Sequence, residues 1–104
     1  MLPDPGQVKL RGRWHQYQIA VSEVLLHEGR LYSYYVFERG EIVAGFDNAP
    51  NNKLLCKIYG ANCSKHQHEP IPHRHGFQKQ TCERTDEMFF EDFLDWLEQN
   101  LCAQ

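Results

Sequence analysis

Leu31-Tyr32-Ser33-Tyr34-Tyr35-Val36-Phe37, Glu38-Arg39-Gly40-Glu41 and Ile42-Val43-Ala44-Gly45-Phe46 form the stretch on which the fold turns. The first and third runs are rich in tyrosine, valine, isoleucine and phenylalanine, side chains that suit a pleated surface. The middle run holds a glycine at hairpin length, so the three read as two antiparallel strands and their turn. In the first strand Tyr32, Tyr34 and Val36 share one face, and Leu31, Ser33, Tyr35 and Phe37 share the other. Gly45 in the return strand invites close approach by another backbone or a ligand.

Upstream, Tyr17, Ile19 and Val21 alternate with Gln16, Gln18 and Ala20, which is the period of a half-buried strand over Trp14–Leu26. Val24-Leu25-Leu26 breaks the alternation and suggests a bulge or a fully buried end. His27-Glu28-Gly29-Arg30 turns the chain into the tyrosine strand, completing a meander. Residues 1–13 hold Pro3, Pro5, Gly6 and Gly12 and read as a partly mobile basic arm, whose Lys9, Arg11 and Arg13 are suited to touch phosphate.

Downstream, Asp47-Asn48-Ala49-Pro50 ends the return strand, because proline blocks continuation and Asx side chains bond their own backbone. Leu54–Tyr59 suggests a short fourth strand, Gly60–Pro72 an irregular loop and Phe77–Cys82 a last edge strand. From residue 86 to 101 the apolar residues Phe89, Phe90, Phe93, Leu94, Trp96, Leu97 and Leu101 recur at i+3 and i+4, which predicts an amphipathic helix. Thr85 is its expected N-cap and Asp86 and Glu87 suit the positive end of its dipole. These elements predict a single α+β domain spanning 1–104: an antiparallel meander with the C-terminal helix packed on one face.

With 41% hydrophobic and 24% charged residues the chain is neither disordered nor membrane-spanning in composition. Met1-Leu2-Pro3-Asp4-Pro5-Gly6 lacks a signal peptide's apolar run, so a cytoplasmic location is expected. There Cys56, Cys63, Cys82 and Cys102 are expected as thiols. Charge is unevenly placed. Residues 1–48 carry five Lys/Arg against six Asp/Glu, 49–84 six against two, and 85–104 none against six. Any anionic ligand is therefore expected at the basic, histidine-rich middle.

Four of the six histidines lie in His66-Gln67-His68 and His73-Arg74-His75. In an extended segment i and i+2 point the same way, so each pair presents both rings to one face and sends Arg74 the other way. Two imidazoles, or an imidazole and the Asp47 carboxylate, suffice for acid–base cleavage of RNA. Arg74, Lys65 or Lys79 would neutralise charge on the phosphate, and no metal is needed. Counted as ligands, Cys63, His66, His68, His73 and His75 offer zinc an alternative site, though no standard paired spacing is met. A third alternative is a non-catalytic module that receives a partner segment on its sheet edge.

Tyr32-Ser33-Tyr34-Tyr35, the glycine turn, Phe46-Asp47-Asn48-Ala49-Pro50, Pro72-His73-Arg74-His75-Gly76 and the acidic tail helix together resemble the TumE-like toxins of bacterial and archaeal toxin–antitoxin pairs. The resemblance spans roughly residues 16–100. It implies a small cytosolic toxin acting as a ribonuclease on RNA, held inactive by a DNA-binding antitoxin, with a homo-oligomer possible. Carried over residue by residue, it implies catalysis by His73, His75 and Asp47, with Asn48 and Arg74 contacting RNA. Where the family often places histidines after Asp-Asn-Ala-Pro this chain has Asn51-Asn52-Lys53, a departure that weakens the acid–base assignment unless His66 or His68 stands in.

Overall fold

The tyrosine hairpin lies at the middle of a sheet that is wider than the sequence suggests. In the computed structural model, which describes residues 6–27 and 29–101, the strands are β1 (Gln7–Trp14), β2 (Tyr17–Leu26), β3 (Gly29–Glu38), β4 (Glu41–Asp47), β5 (His73–His75) and β6 (Cys82–Arg84). Each is antiparallel to the next, in chain order across the sheet. Helix α1 (Asn52–Tyr59) joins β4 to β5, and helix α2 (Phe90–Asn100) follows β6. The fold is α+β, with an antiparallel sheet and a C-terminal helix. No helix among the described residues is long and apolar enough to cross a membrane.

The β3–β4 turn uses Arg39 (φ 52°) and Gly40 (φ 80°), both left-handed, which gives a two-residue hairpin its matching twist. Residues 7–13 are not an arm. All eight residues of β1 pair with β2, and Leu25 N–H donates to the Gly6 carbonyl at 2.6 Å. Val8, Leu10 and Trp14 alternate with Lys9, Arg11 and Arg13 at a strand's period, but Gly12 and the prolines upstream give the segment the look of an arm. Residues 1–5 of the expected arm lie outside the described residues. The bulge falls between Val36 and Phe37, whereas β2 stays in register to Leu26 opposite Gly29 and its end is not buried, Leu25 and Leu26 being exposed.

One face of the sheet carries Val21, Tyr32, Tyr34, Val36 and Phe46, all buried against Phe93 and Leu97 of α2. Tyr34 stacks on Phe93 at 5.3 Å and Trp96 meets Phe46 edge-on at 5.2 Å. Burying Phe93 and Leu97 fully contributes about 1.5–3 kcal/mol each. Phe89, Phe90 and Leu94, expected in the same stripe, stay substantially exposed.

Helix α2 starts at Phe90 rather than Asp86 because the preceding segment is tied to the sheet. The Arg30 guanidinium donates to the Met88 carbonyl, to Glu23 at 2.9 Å and to the Tyr34 hydroxyl at 2.9 Å. It also lies over the Tyr32 and Phe89 rings at 4.5 and 4.3 Å. Tyr32 Oη accepts from Met88 N–H at 3.1 Å. Thr85 donates to the Asp86 carbonyl instead of capping, and Asp92 accepts from Phe89 N–H at 2.8 Å. Glu91 and Asp92 thus occupy the first turn in place of Asp86 and Glu87.

The expected fourth strand is α1. Asn51 caps it, accepting from Leu54 N–H at 3.1 Å, and Leu54 and Leu55 pack on Ile71, Tyr59 and Cys82. Gly60, at φ 60°, ends α1 and leads into a 3-10 segment, Gly60–His66. That reversal brings the Cys56 and Cys63 Cα atoms to 4.8 Å and their sulfurs are bonded, so these two are not the expected thiols. Cys82 is free, and Cys102 lies outside the described residues. Phe77–Lys79 is a 3-10 turn, so the strand expected at Phe77–Cys82 begins only at Cys82.

Candidate functional site

Strand β5 lies between the expected Gly60–Pro72 loop and the expected edge strand, and its pairing with β4 builds the site. The register sets Asp47 opposite His73 and Gly45 opposite His75. Directly opposed residues project to the same face, so the Asp47 carboxylate meets both rings. Its Oδ1 lies 3.1 Å from His73 Nε2 and its Oδ2 lies 3.7 Å from His75 Nε2. Oδ2 also accepts from the Tyr35 hydroxyl at 2.6 Å, and Oδ1 from Ala49 N–H at 3.0 Å. The convergence of Asp47, His73 and His75 matches the expected cluster. Tyr35 is a further member, to which sequence reasoning assigned no role.

Both nitrogens of His73 are engaged. Nδ1 lies 2.6 Å from the Ile71 carbonyl and so carries hydrogen, and Nε2 facing a carboxylate is favourable only if it carries hydrogen too. Burial opposes charge on this ring, but the Asp47 and Ile71 bonds outweigh it and raise its pKa above the ordinary value. Burial likewise acts against ionised Asp47, yet the hydrogen bonds from His73 and Tyr35 lower its pKa overall. His73 is only 2% exposed. It therefore fixes the carboxylate's position and charge and does not face a ligand.

His75 differs in each respect. Its pKa is lowered, first by burial and then by the neighbouring His73 charge, whose ring stands perpendicular to it at 4.8 Å. The ring is therefore neutral near pH 7. Its Nδ1 is buried without a partner at hydrogen-bond geometry, although the Thr81 backbone is near enough to act on the ring. Tyr35 stacks on His75 at 6.4 Å. Burial, and then the bond to Asp47, push the Tyr35 hydroxyl pKa up, so it stays a donor.

Gly45 lets this arrangement form. A Cβ at that position would stand 2.1 Å from Tyr35 Cε1, so the ring lies across the bare glycine backbone. What approaches Gly45 closely is the Tyr35 side chain, not the expected backbone or ligand. On the outer side, Lys79 Nζ sits 5.2 Å above the same ring. Gln78 and Lys79 both hold left-handed backbone, φ 51° and 58°, a conformation that costs non-glycine residues of order 1 kcal/mol or more each.

The remaining expected residues are placed elsewhere. Arg74 pairs with Phe46 and Glu83 and lies on the α2 face, away from the imidazoles. Asn48 is buried and structural: Oδ1 accepts from Tyr32 N–H at 2.9 Å and Nδ2 donates to the Arg30 carbonyl at 2.8 Å. Lys65 is on the 3-10 segment beside α1. His66 stacks on Tyr59 at 3.5 Å and pairs with Glu69, so it does not stand in for the family's missing histidines, and His68 sits in an exposed turn.

The alternative zinc set does not assemble, since Cys63 is bonded to Cys56. Among the described residues, His73, His75 and Cys82 bring ligand-type atoms within 4.8 Å of one another. However, both His73 nitrogens are already committed and burial raises the Cys82 thiol pKa, so this trio lacks three ready donors. What the arrangement offers is proton transfer at His75 beside an anchored carboxylate and a cation. No family model, curated protein or solved structure matches the chain.

Proposed function

We propose that the chain is a metal-independent endoribonuclease and that His75 is its proton carrier. The reading rests chiefly on one observation, the neutral His75 ring 3.7 Å from a carboxylate whose ionised state is held by His73. His75 removes the proton of a ribose 2′-OH as the 2′-oxygen forms its bond to phosphorus. The imidazolium, stabilised by Asp47, returns that proton to the departing 5′-oxygen, leaving a 2′,3′-cyclic phosphate. Lys79 stabilises the added charge on the phosphoryl oxygens. Tyr35, Asp47 and His73 position the carrier and do not exchange protons with the substrate. The toxin role, and the DNA-binding antitoxin that would hold it in check, rest on the resemblance of residues 16–100 alone.

The test is cleavage of a single-stranded RNA by the purified chain in EDTA. A His75→Ala variant is expected to lose activity by about 10²–10⁴-fold. Cleavage that survives this change, or that appears only with a divalent cation, rejects the assignment.

A further inference from the structure

We infer that the β1–β3 half of the site's sheet face is the track that holds single-stranded RNA for cleavage at His75. The inference rests on the ribonuclease reading and deepens it. Strand parity carries the argument. Lys9, Arg11 and Arg13 pair with Ser22, Ala20 and Gln18, and these pair in turn with Ser33, Tyr35 and Phe37. Ser33 and Tyr35 oppose Asp47 and Gly45, which oppose His73 and His75. All these side chains therefore stand on the face that α2 does not cover.

The face has the properties that a nucleic-acid strand requires. Its outer rim is a row of three exposed cations, none of them in an ion pair among the described residues. Its floor is low and uncharged, because Ser22, Ala20 and Ser33 are small, and two grooves of about 290 and 480 Å³ run between the rim and the floor. Next to the site stands the part-exposed Phe37 ring, 6.3 Å from Tyr35, offering a π-face for an unstacked base. From β1 to β5 is four strand spacings, about 19 Å, a span suited to a short single strand. The opposite face carries Glu91, Asp92, Asp95 and Glu98 on α2, which repel phosphate. Single strands are favoured over duplexes because the Phe37 ring can stack only on a base that a helix has not already stacked.

The experiment measures binding of a fluorescein-labelled single-stranded RNA oligonucleotide to full-length protein, on a His75→Ala background that prevents turnover. Replacing Lys9, Arg11 and Arg13 together by Gln should weaken binding at least tenfold at low salt. It should also reduce the slope of log K against log salt by about 2, since each lost phosphate contact removes roughly 0.7. Arg11→Gln and Arg74→Gln make the same charge change on opposite faces, and only the first should weaken binding. Circular dichroism checks that the exposed replacements leave the fold intact. An unchanged slope, equal effects of Arg11→Gln and Arg74→Gln, or no RNA binding by the His75→Ala parent overturns the track. The two readings fail separately. A chain that cleaves RNA while the cation row is irrelevant to binding keeps the catalytic reading and loses the track, and one that binds through the row without cleaving does the reverse.

Discussion

Replacing Gly45 by alanine should dismantle the site through Tyr35. The new Cβ would lie 2.1, 2.3 and 2.7 Å from three atoms of the Tyr35 ring, so the ring must leave. Leaving breaks its 2.6 Å hydrogen bond to Asp47. A bond to a charged acceptor contributes about 1.5–3 kcal/mol, and forcing a side chain out of a packed place costs about 1–3 kcal/mol more. Partial relaxation brings the expected loss to roughly 2–4 kcal/mol, measured by urea denaturation. In a Tyr35→Ala background the same substitution meets no ring. It should then stabilise by about 0.5–1 kcal/mol, because glycine inside a strand costs that much relative to alanine. The double-mutant cycle should thus show a coupling above 2 kcal/mol and a change of sign. An equal cost in both backgrounds would refute the idea that the glycine exists to accommodate the tyrosine.

Asn48→Ala should cost about 2–4 kcal/mol in denaturant melts, since it strands Tyr32 N–H and the Arg30 carbonyl, each partnered at under 3 Å now. Stability should also follow pH in two directions. The lowered Asp47 pKa stabilises above its ordinary value of 3.8 and is lost as pH falls through the folded value, while the raised His73 pKa stabilises below 6.5 and is lost as pH rises through its folded value. The pair should therefore support the fold most between about pH 4 and 6.5, and a His73→Ala chain should lack that hump in a Tm-against-pH series. Activity should have its acid limb below pH 6.5, because the His75 pKa is lowered, and a limb above 7 in kcat/KM would contradict His75 as base. Reducing Cys56–Cys63, a separation of seven residues, should lower stability by roughly 2 kcal/mol on loop entropy while leaving cleavage intact.

Much of the sheet and half of the site were legible in the sequence. The alternation in Tyr32–Phe37 and Ile42–Phe46 fixed the central hairpin because aromatic and β-branched residues on two faces leave no other periodicity. The i, i+2 spacing of His73 and His75 placed two rings together and sent Arg74 away, as the β5 register bears out. What escaped were features decided by tertiary pairing. β1 is held by its ladder to β2, although Gly12 and the prolines upstream give it the look of an arm. Leu54, Leu55, Ile58 and Tyr59 have a helical repeat, but in a short run between turn formers it reads equally as a strand. Asn48 looked like a turn former or ligand contact, and only the structure brings it within reach of Tyr32 and Arg30. The start of α2 was displaced by Arg30, 58 residues from the Met88 carbonyl that it binds.

β5 contributes three residues and joins β4 through three register pairs. That short seam, with the Ile71 N–H to Asn48 carbonyl bond at its start, brings the imidazoles to the carboxylate, whereas the β1–β4 meander with α2 has its own apolar core. On the ribonuclease reading, assembly of the site and folding of the meander are thus separable, and an inhibitor need never touch the imidazoles. A peptide that won the β4 edge from β5 would disarm the molecule by unzipping it, leaving an intact but inert scaffold.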